Sequence, residues 1–381
     1  MVSYLIRTRN RPQRVQQLLR DIAHTHGTGR VREVVVIDDA SEQRLICPAR
    51  LGNGLELRSL WCTQPEGWAA FNGGAHFADA RSEWLVFLQD DTCPVSGDFA
   101  AWLSDWDPSV AAVAPDVFVD AHGLHEAQRV TSSLPETLPT RAFAVRRSAF
   151  LRVGGFSRDL AGPGAVVDLC AKLIESSDRV DARSPARIVF DPRWVVARRA
   201  CPRVVSPESR LRQLRDYAFA LACRAPEQAR AEFVRCVDDA VPGGDRGTRR
   251  ALARVLREAR SMPLGGGRTA SRTWDRLVGI AAVREALGRE HARRPFATAA
   301  LVEPGAHGWV VGRVLAEMGV EVRDVAARPD VLVIASLAPA QMLAGMFRET
   351  ARSRAARVLA PWVPAVPGVP GASIHQPAAA A

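Results

Sequence analysis

Lysine is almost missing from this chain of 381 residues: Lys172 is the single one among 51 Lys and Arg. Such heavy use of arginine, beside abundant alanine, reads as a GC-rich coding bias, so arginine enrichment alone says little about partners. No apolar run approaches the ~18–20 residues that a bilayer-spanning helix requires. The opening stretch MVSYLIRTRNRPQ is too short in apolar residues for a secretory signal. The seven cysteines include no CxxC pair and no Cys/His cluster at zinc spacing, which excludes a zinc ribbon. An odd number of thiols in a long chain points to reduced cysteines and a cytoplasmic setting. No aromatic residues interleave the basic stretches and no nucleic-acid motif occurs, so no nucleic acid is expected as a partner.

What the chain does have is enough apolar residues, 47%, for real cores. Its net charge of +10 is unevenly placed. Residues 201–300 hold 20 Arg against 11 Asp plus Glu, which gives +9 and leaves the rest nearly neutral. That basic face is either solvated or set against anionic lipid at the inner face of the membrane.

The first ~95 residues alternate strand and helix, the pattern of an α/β nucleotide-binding sheet. VSYLIR is a strand, QRVQQLLRDIAHTH a helix with Val15, Leu18, Leu19 and Ile22 on one face, and VREVVVID a second strand. That strand is apolar without alternation, as in a parallel sheet covered on both faces. LELRSLWC, GWAAFNGGAHFADA and EWLVFLQDD continue as strand, short helix and strand. RAFAVRRSAFLRVGGF reads as strand, short helix and Gly-Gly turn, VVDLCAKLIES as a helix, and ARIVFDPRWVVARRA as one or two closing strands. Asp168 is placed in the first turn of its helix, where a negative charge is favoured.

Acids crowd the ends of two strands: Asp38 with Asp39, and Asp90 with Asp91 after Gln89. Like charges at the end of a buried strand repel each other and are costly to desolvate. Ligands of open parallel sheets bind outside such strand ends, so either a cation and a polar ligand gather there or the strands simply end in water.

Beyond residue 204 the character changes. The expected organisation is 1–204 as a nucleotide-sugar-binding domain, 205–294 as a basic helical segment with a stripe of Leu211, Leu214, Ala218 and Leu221, and 295–365 as a small βαβαβ unit. A Pro/Ala-rich tail, 366–381, is expected to be disordered. In the small unit, EPGAHGWVVG places glycines at 305, 308 and 312, which is not GxGxxG spacing, so a packing or partner-binding module is expected there.

TRNRP after the first strand, VVVIDDAS, FLQDDTCP, and FLRVGGF before VVDLC occur in one order and spacing. Together they resemble the family 2 glycosyltransferases of the GT-A fold, over about residues 1–200. The resemblance implies that Asp38, Asp39, Asp90 and Thr8 meet the nucleotide of a nucleoside-diphosphate sugar, most simply a UDP-sugar. It implies that Asp91 holds Mn²⁺ or Mg²⁺, which would neutralise the leaving diphosphate. The turn at Gly154, Gly155 and Phe156 would shape the acceptor side.

The chain departs from the family pattern at four places. Phe71 stands beside Asn72 where the family has an Arg, and Gln89 replaces a first acid. Ala165 and Val166 stand at the Glu-Asp of the catalytic base. Arg198 falls near the place of a metal-binding His, where it would touch phosphate. Asp168, with Asp159 and Asp191 behind it, is left as the candidate base. The expected activity is inverting transfer of a sugar to a hydroxyl acceptor, in the synthesis of an envelope glycan, a glycoconjugate or a glycosylated small metabolite. The alternative is a nucleotide-sugar-binding or scaffold subunit that has lost catalysis.

Overall fold

The computed structural model describes residues 1–25, 29–95, 99–120, 128–129, 138–160, 162–180, 186–199, 269–302, 308–335, 357–359 and 361, with short pieces between 216 and 257. The Leu stripe, Gly305, most of the basic helical segment and the tail lie outside the described residues.

A nine-stranded sheet forms the first body. Its strands are β1 (Val2–Thr8), β2 (Val31–Asp38), β3 (Glu56–Trp61), β4 (Trp84–Gln89), β5 (Thr92–Pro94), β6 (Val110–Asp120), β7 (Gln128–Arg129), β8 (Ala142–Arg146) and β9 (Arg187–Arg199). The order is β3-β2-β1-β4-β8-β6-β9-β5, with β7 on β6. The first four strands are parallel, β8 runs antiparallel to both β4 and β6, and β9 is parallel to β6. This is the mixed α/β sheet that the sequence pattern implies.

Continuous apolar strands are needed because both faces are covered. Leu5, Val35, Ile37, Leu85 and Phe87 point into one core, with α2 (Ala70–Phe77) and α5 (Gly164–Val180). Their neighbours Tyr4, Ile6, Val34, Val36, Val86 and Leu88 point into the other, against α1 (Pro12–Thr25) and α3 (Phe99–Ser104). The period-2 alternation of side chains therefore sorts one apolar run into two cores. The short helix α4 (Arg147–Arg152) leads from β8 into the Gly-Gly turn.

The helices α6 (Ser271–Leu277) and α7 (Ile280–Arg293) then bring Trp274, Leu277, Ile280, Val283 and Leu287 onto the α2/α5 core. On their far side lies a second, all-parallel sheet of β10 (Thr298–Val302), β11 (Glu321–Val322), β12 (Val331–Ile334) and β13 (Arg357–Leu359), in the order β11-β10-β12-β13. Helix α8 (Gly308–Glu317) packs between that sheet and α7, with Val310, Val311, Val314 and Leu315 buried. Gly308 and Gly312 thus belong to a helix with an apolar face. Among the pieces that escaped the sequence reading are β5, β7 and β11, each only two or three residues long, and the six-residue helix α3.

Candidate active site

Register brings the strand-end residues to one edge. Thr8 pairs with Asp38 across β1 and β2, and Arg7 pairs with Gln89 across β1 and β4. Thr92 of β5 pairs with Arg198 of β9, which carries Arg198 to the same place. The loops after β1 and β2 fasten each other. Asn10, at φ 54, donates its N–H to Ser41 Oγ at 2.8 Å and accepts from Glu42 N–H at 2.9 Å. Ala40 also has positive φ, 58, a conformation that costs a residue with a Cβ about 1–2 kcal/mol.

Each acid has a partner, and the partners differ. Asp38 accepts the backbone N–H of Ser41 at 3.0 Å and of Leu45 at 2.9 Å, so both its oxygens are engaged by its own loop. These bonds make Asp38 an anchor of its own loop, as expected of a buried carboxylate that finds amide partners. Asp39 accepts from Glu66 N–H at 2.7 Å, Gly67 N–H at 3.1 Å and Arg7 Nη1 at 3.0 Å. It fixes the tight turn at Gly67–Ala69 that begins α2. Thr8 Oγ1 donates to Asp90 Oδ2 at 2.9 Å, and Arg11 Nη1 donates to Asp90 Oδ1 at 3.1 Å. Burial is the largest influence on Asp90 and pushes its pKa up, against the pull of Arg11.

Asp91 is held by two arginines from distant strands. Arg141 Nη1 lies 3.2 Å from Oδ1 and 3.0 Å from Oδ2, and Arg198 Nε donates to Oδ2 at 3.4 Å. This is the test of the cation that the resemblance implies at Asp91, and the donor set does not fit it. Oxygen donors to a hard divalent ion must face that ion, and here guanidiniums face them. Among the described residues, no three His, Cys, Asp or Glu side chains converge as a cation site.

Asp168 is also corrected. Helix α5 starts at Gly164, which puts Asp168 in its second turn. Its side chain is fully buried and accepts from Arg224 Nε at 2.8 Å, with Lys172 Nζ 2.8 Å away. A carboxylate engaged by two cations in the core is not presented to an acceptor hydroxyl. Ala165 and Val166 are buried in the same core. Asp191 holds a turn inside β9 through Arg193. Asp159 is exposed, with Ser157 Oγ 3.5 Å from its carboxylate.

The Gly154–Gly155–Phe156 turn is latched to α2. Asn72 donates to Phe156 O and accepts from Phe156 N–H, both at 2.9 Å. Phe156 then sits among Trp68, Phe71, Phe87, Phe143 and Phe150, its ring 5.3 Å from Trp68 and 5.4 Å from Phe150. Such ring pairs contribute about 0.5–1.5 kcal/mol each beyond their buried area. A cleft of about 430 Å³ is lined by Arg7, Arg9, Asp39, Glu66, Gly67 and Arg158 among others.

Cys62 follows β3 near this edge. Burial first, and then Asp39, Glu66 and Asp38, push its thiol up to about 11. Its thiolate is therefore scarce at pH 8. Alkylation by iodoacetamide, followed at Cys62 by peptide mass spectrometry, is expected on the order of a hundredfold slower than that of an ordinary thiol. A rate equal to that of free cysteine would contradict the crowding of acids around it.

No family profile matches the chain. Two pre-mycofactocin glycosyltransferases, from two strains of Mycobacterium tuberculosis, are each 30% identical to it over 182 residues, covering 42% of this chain and 37% of theirs. This chain resembles a glycosyltransferase. It spans little more than a third of the length of the curated relatives it matches. Among solved structures, a mannosyltransferase from Pyrobaculum calidifontis in complex with GDP-Man and Mn²⁺ superposes with a TM-score of 0.45 at 17% identity, over 83% of this chain and 84% of that one. Staphylococcus aureus TarS 1–349 in complex with UDP-GlcNAc gives a TM-score of 0.46 at 16% identity, over 84% and 92%. The sheet carries the strand-end acids at one edge. It adds what the sequence reading missed, the arginine partners Arg7, Arg11 and Arg141. No helix among the described residues is long and apolar enough to cross a membrane.

Proposed function

We propose that the chain is a glycosyltransferase that takes a sugar from a nucleoside-diphosphate sugar and delivers it, with inversion, to a hydroxyl acceptor. The observation that carries this reading is the cleft at the C-terminal ends of β1 and β2, walled by Arg7, Arg9 and Arg158 and floored by Asp39. Ligands of parallel α/β sheets bind at such an edge, and its guanidiniums draw an anionic donor toward it. The stretch of 30% identity to glycosyltransferases supports the same chemistry. The nucleotide lies along this edge, with the sugar directed toward the Phe156 turn. A UDP-sugar is the donor favoured here, and an envelope glycan or glycosylated small molecule the acceptor.

Transfer needs a base within reach of the attacking hydroxyl. Of the three candidates Asp168, Asp159 and Asp191, Asp159 is the one left exposed: it lies in the turn that follows Phe156, and its neighbour Arg158 lines the cleft. A second reading, a nucleotide-sugar-binding subunit without turnover, is favoured by one fact. Ala165 and Val166 offer no base, and the acid nearest them is locked to Arg224.

Thermal unfolding against UDP, GDP and ADP tests the donor site. Ligand that binds only the native state stabilises it by about 2.7 kcal/mol at a hundredfold excess over Kd. One nucleoside diphosphate is expected to raise Tm well above the others. No shift with any of them at millimolar concentration would remove the donor-site reading.

A further inference from the structure

The two acids at the end of β4 lie beneath arginines. The side chains of Asp90 and Asp91 are 4% and 5% exposed, whereas those of Arg11, Arg141 and Arg198 are 51%, 29% and 27% exposed. A ligand arriving at this edge therefore meets guanidinium N–H groups, with the carboxylates behind them. Three guanidiniums over two carboxylates leave the cluster one positive charge in excess. The cations also feel one another: burial has the largest effect on the Arg141 pKa and lowers it, Asp91 and Asp90 raise it, and Arg198 and Arg11 push it down. An anion placed among them relieves that repulsion. A divalent cation would add to it, and would have to displace Arg141 and Arg198 from Asp91 before it gained a ligand.

We propose that the diphosphate of the donor is held by Arg11, Arg141 and Arg198 directly, without a divalent cation. The buried acids orient these guanidiniums and do not ligate metal. The planar fork of arginine matches phosphate oxygens bidentately, so the three side chains can spread charge over both phosphates as the bond to the sugar breaks. The electron pair of that bond leaves on the diphosphate oxygen, and the arginine N–H groups stabilise it there. This inference rests on the proposed function, because it concerns the diphosphate of the same donor.

Calorimetric titration of the full chain with UDP, GDP and inorganic pyrophosphate, first in EDTA and then in Mn²⁺, tests it. The expected result is binding in EDTA that Mn²⁺ does not tighten. Arg198→Gln and Arg141→Gln are each expected to weaken that binding by roughly tenfold or more. Arg198→Lys should recover only part, since it keeps the charge and loses the fork. Asp91→Asn, checked for an unchanged circular dichroism spectrum, is expected to tighten binding in EDTA, because it raises the local charge by one. A metal site predicts the opposite for that variant. Binding that appears only with Mn²⁺, or is lost in a folded Asp91→Asn protein, would overturn the inference and leave the glycosyltransferase reading standing. No binding of any probe under either condition would overturn both.

Discussion

Replacing Arg224 with leucine is expected to lower the stability of the protein by about 3–5 kcal/mol, the usual cost of leaving a buried charge without its partner. Arg224 and Asp168 are 1% and 0% exposed, and they join a residue of α5 to one 56 positions later. Removing the guanidinium leaves Asp168 with Lys172 as its cation among the described residues. That lysine already divides itself, because Nζ also lies 3.3 Å from Gly155 O, in the turn that carries Phe156. The only lysine of the chain thus links the buried acid to the Gly154–Gly155–Phe156 turn. The Asp168→Leu/Arg224→Leu double variant should recover much of the loss, since two apolar side chains replace two desolvated charges. Urea unfolding followed by circular dichroism measures both. A loss below about 1 kcal/mol for Arg224→Leu, the range of an exposed ion pair, would show that the pair is solvated in solution.

A second large effect is expected at Gly155. Its φ of +65 already disfavours any side chain, by about 1–2 kcal/mol. A Cβ there would also fall on Asn72 Oδ1 and within 2.9 Å of Phe150 Cζ. Neither neighbour can retreat, because Asn72 is bonded to both the N–H and the C=O of Phe156 and Phe150 is packed in the aromatic cluster. Overpacking of this kind adds about 1–3 kcal/mol. Gly155→Ala should therefore destabilise far more than Gly154→Ala. Gly154 has φ +77, but nothing lies within 4 Å of its added Cβ. Thermal melts of the two variants side by side decide it. Equal losses would mean that backbone strain alone operates and that the Asn72 latch gives way freely.

The parts of the fold that were legible in the sequence are those fixed by local pattern. β1, β2 and β4 are continuous apolar runs because both faces of the sheet are covered, and α1 shows its buried stripe at Val15, Leu18, Leu19 and Ile22. The position of the four acids followed from strand ends. What each acid does was not legible, because its partner comes from elsewhere in the chain. Asp91 meets Arg141 and Arg198, 50 and 107 residues away, through the pairing of β5 with β9 and the start of β8. Asp168 reads as a helix-start acid until Arg224 is brought against it. Asp38 is the partial exception: its partners Ser41 and Leu45 are close in sequence, the ordinary habit of an Asp that opens a loop.

An edge that breaks the bond between a nucleoside diphosphate and a sugar must release the free nucleoside diphosphate. Mass-spectrometric counting of free nucleoside diphosphate released from a panel of UDP- and GDP-sugars, with the purified full chain, tests it most directly. The account predicts slow release from one donor class, unaffected by EDTA and strongly reduced in Asp159→Asn at unchanged nucleotide affinity. Tight nucleotide-sugar binding with no release from any donor, with or without hydroxyl acceptors, would contradict it and leave a binding subunit in its place.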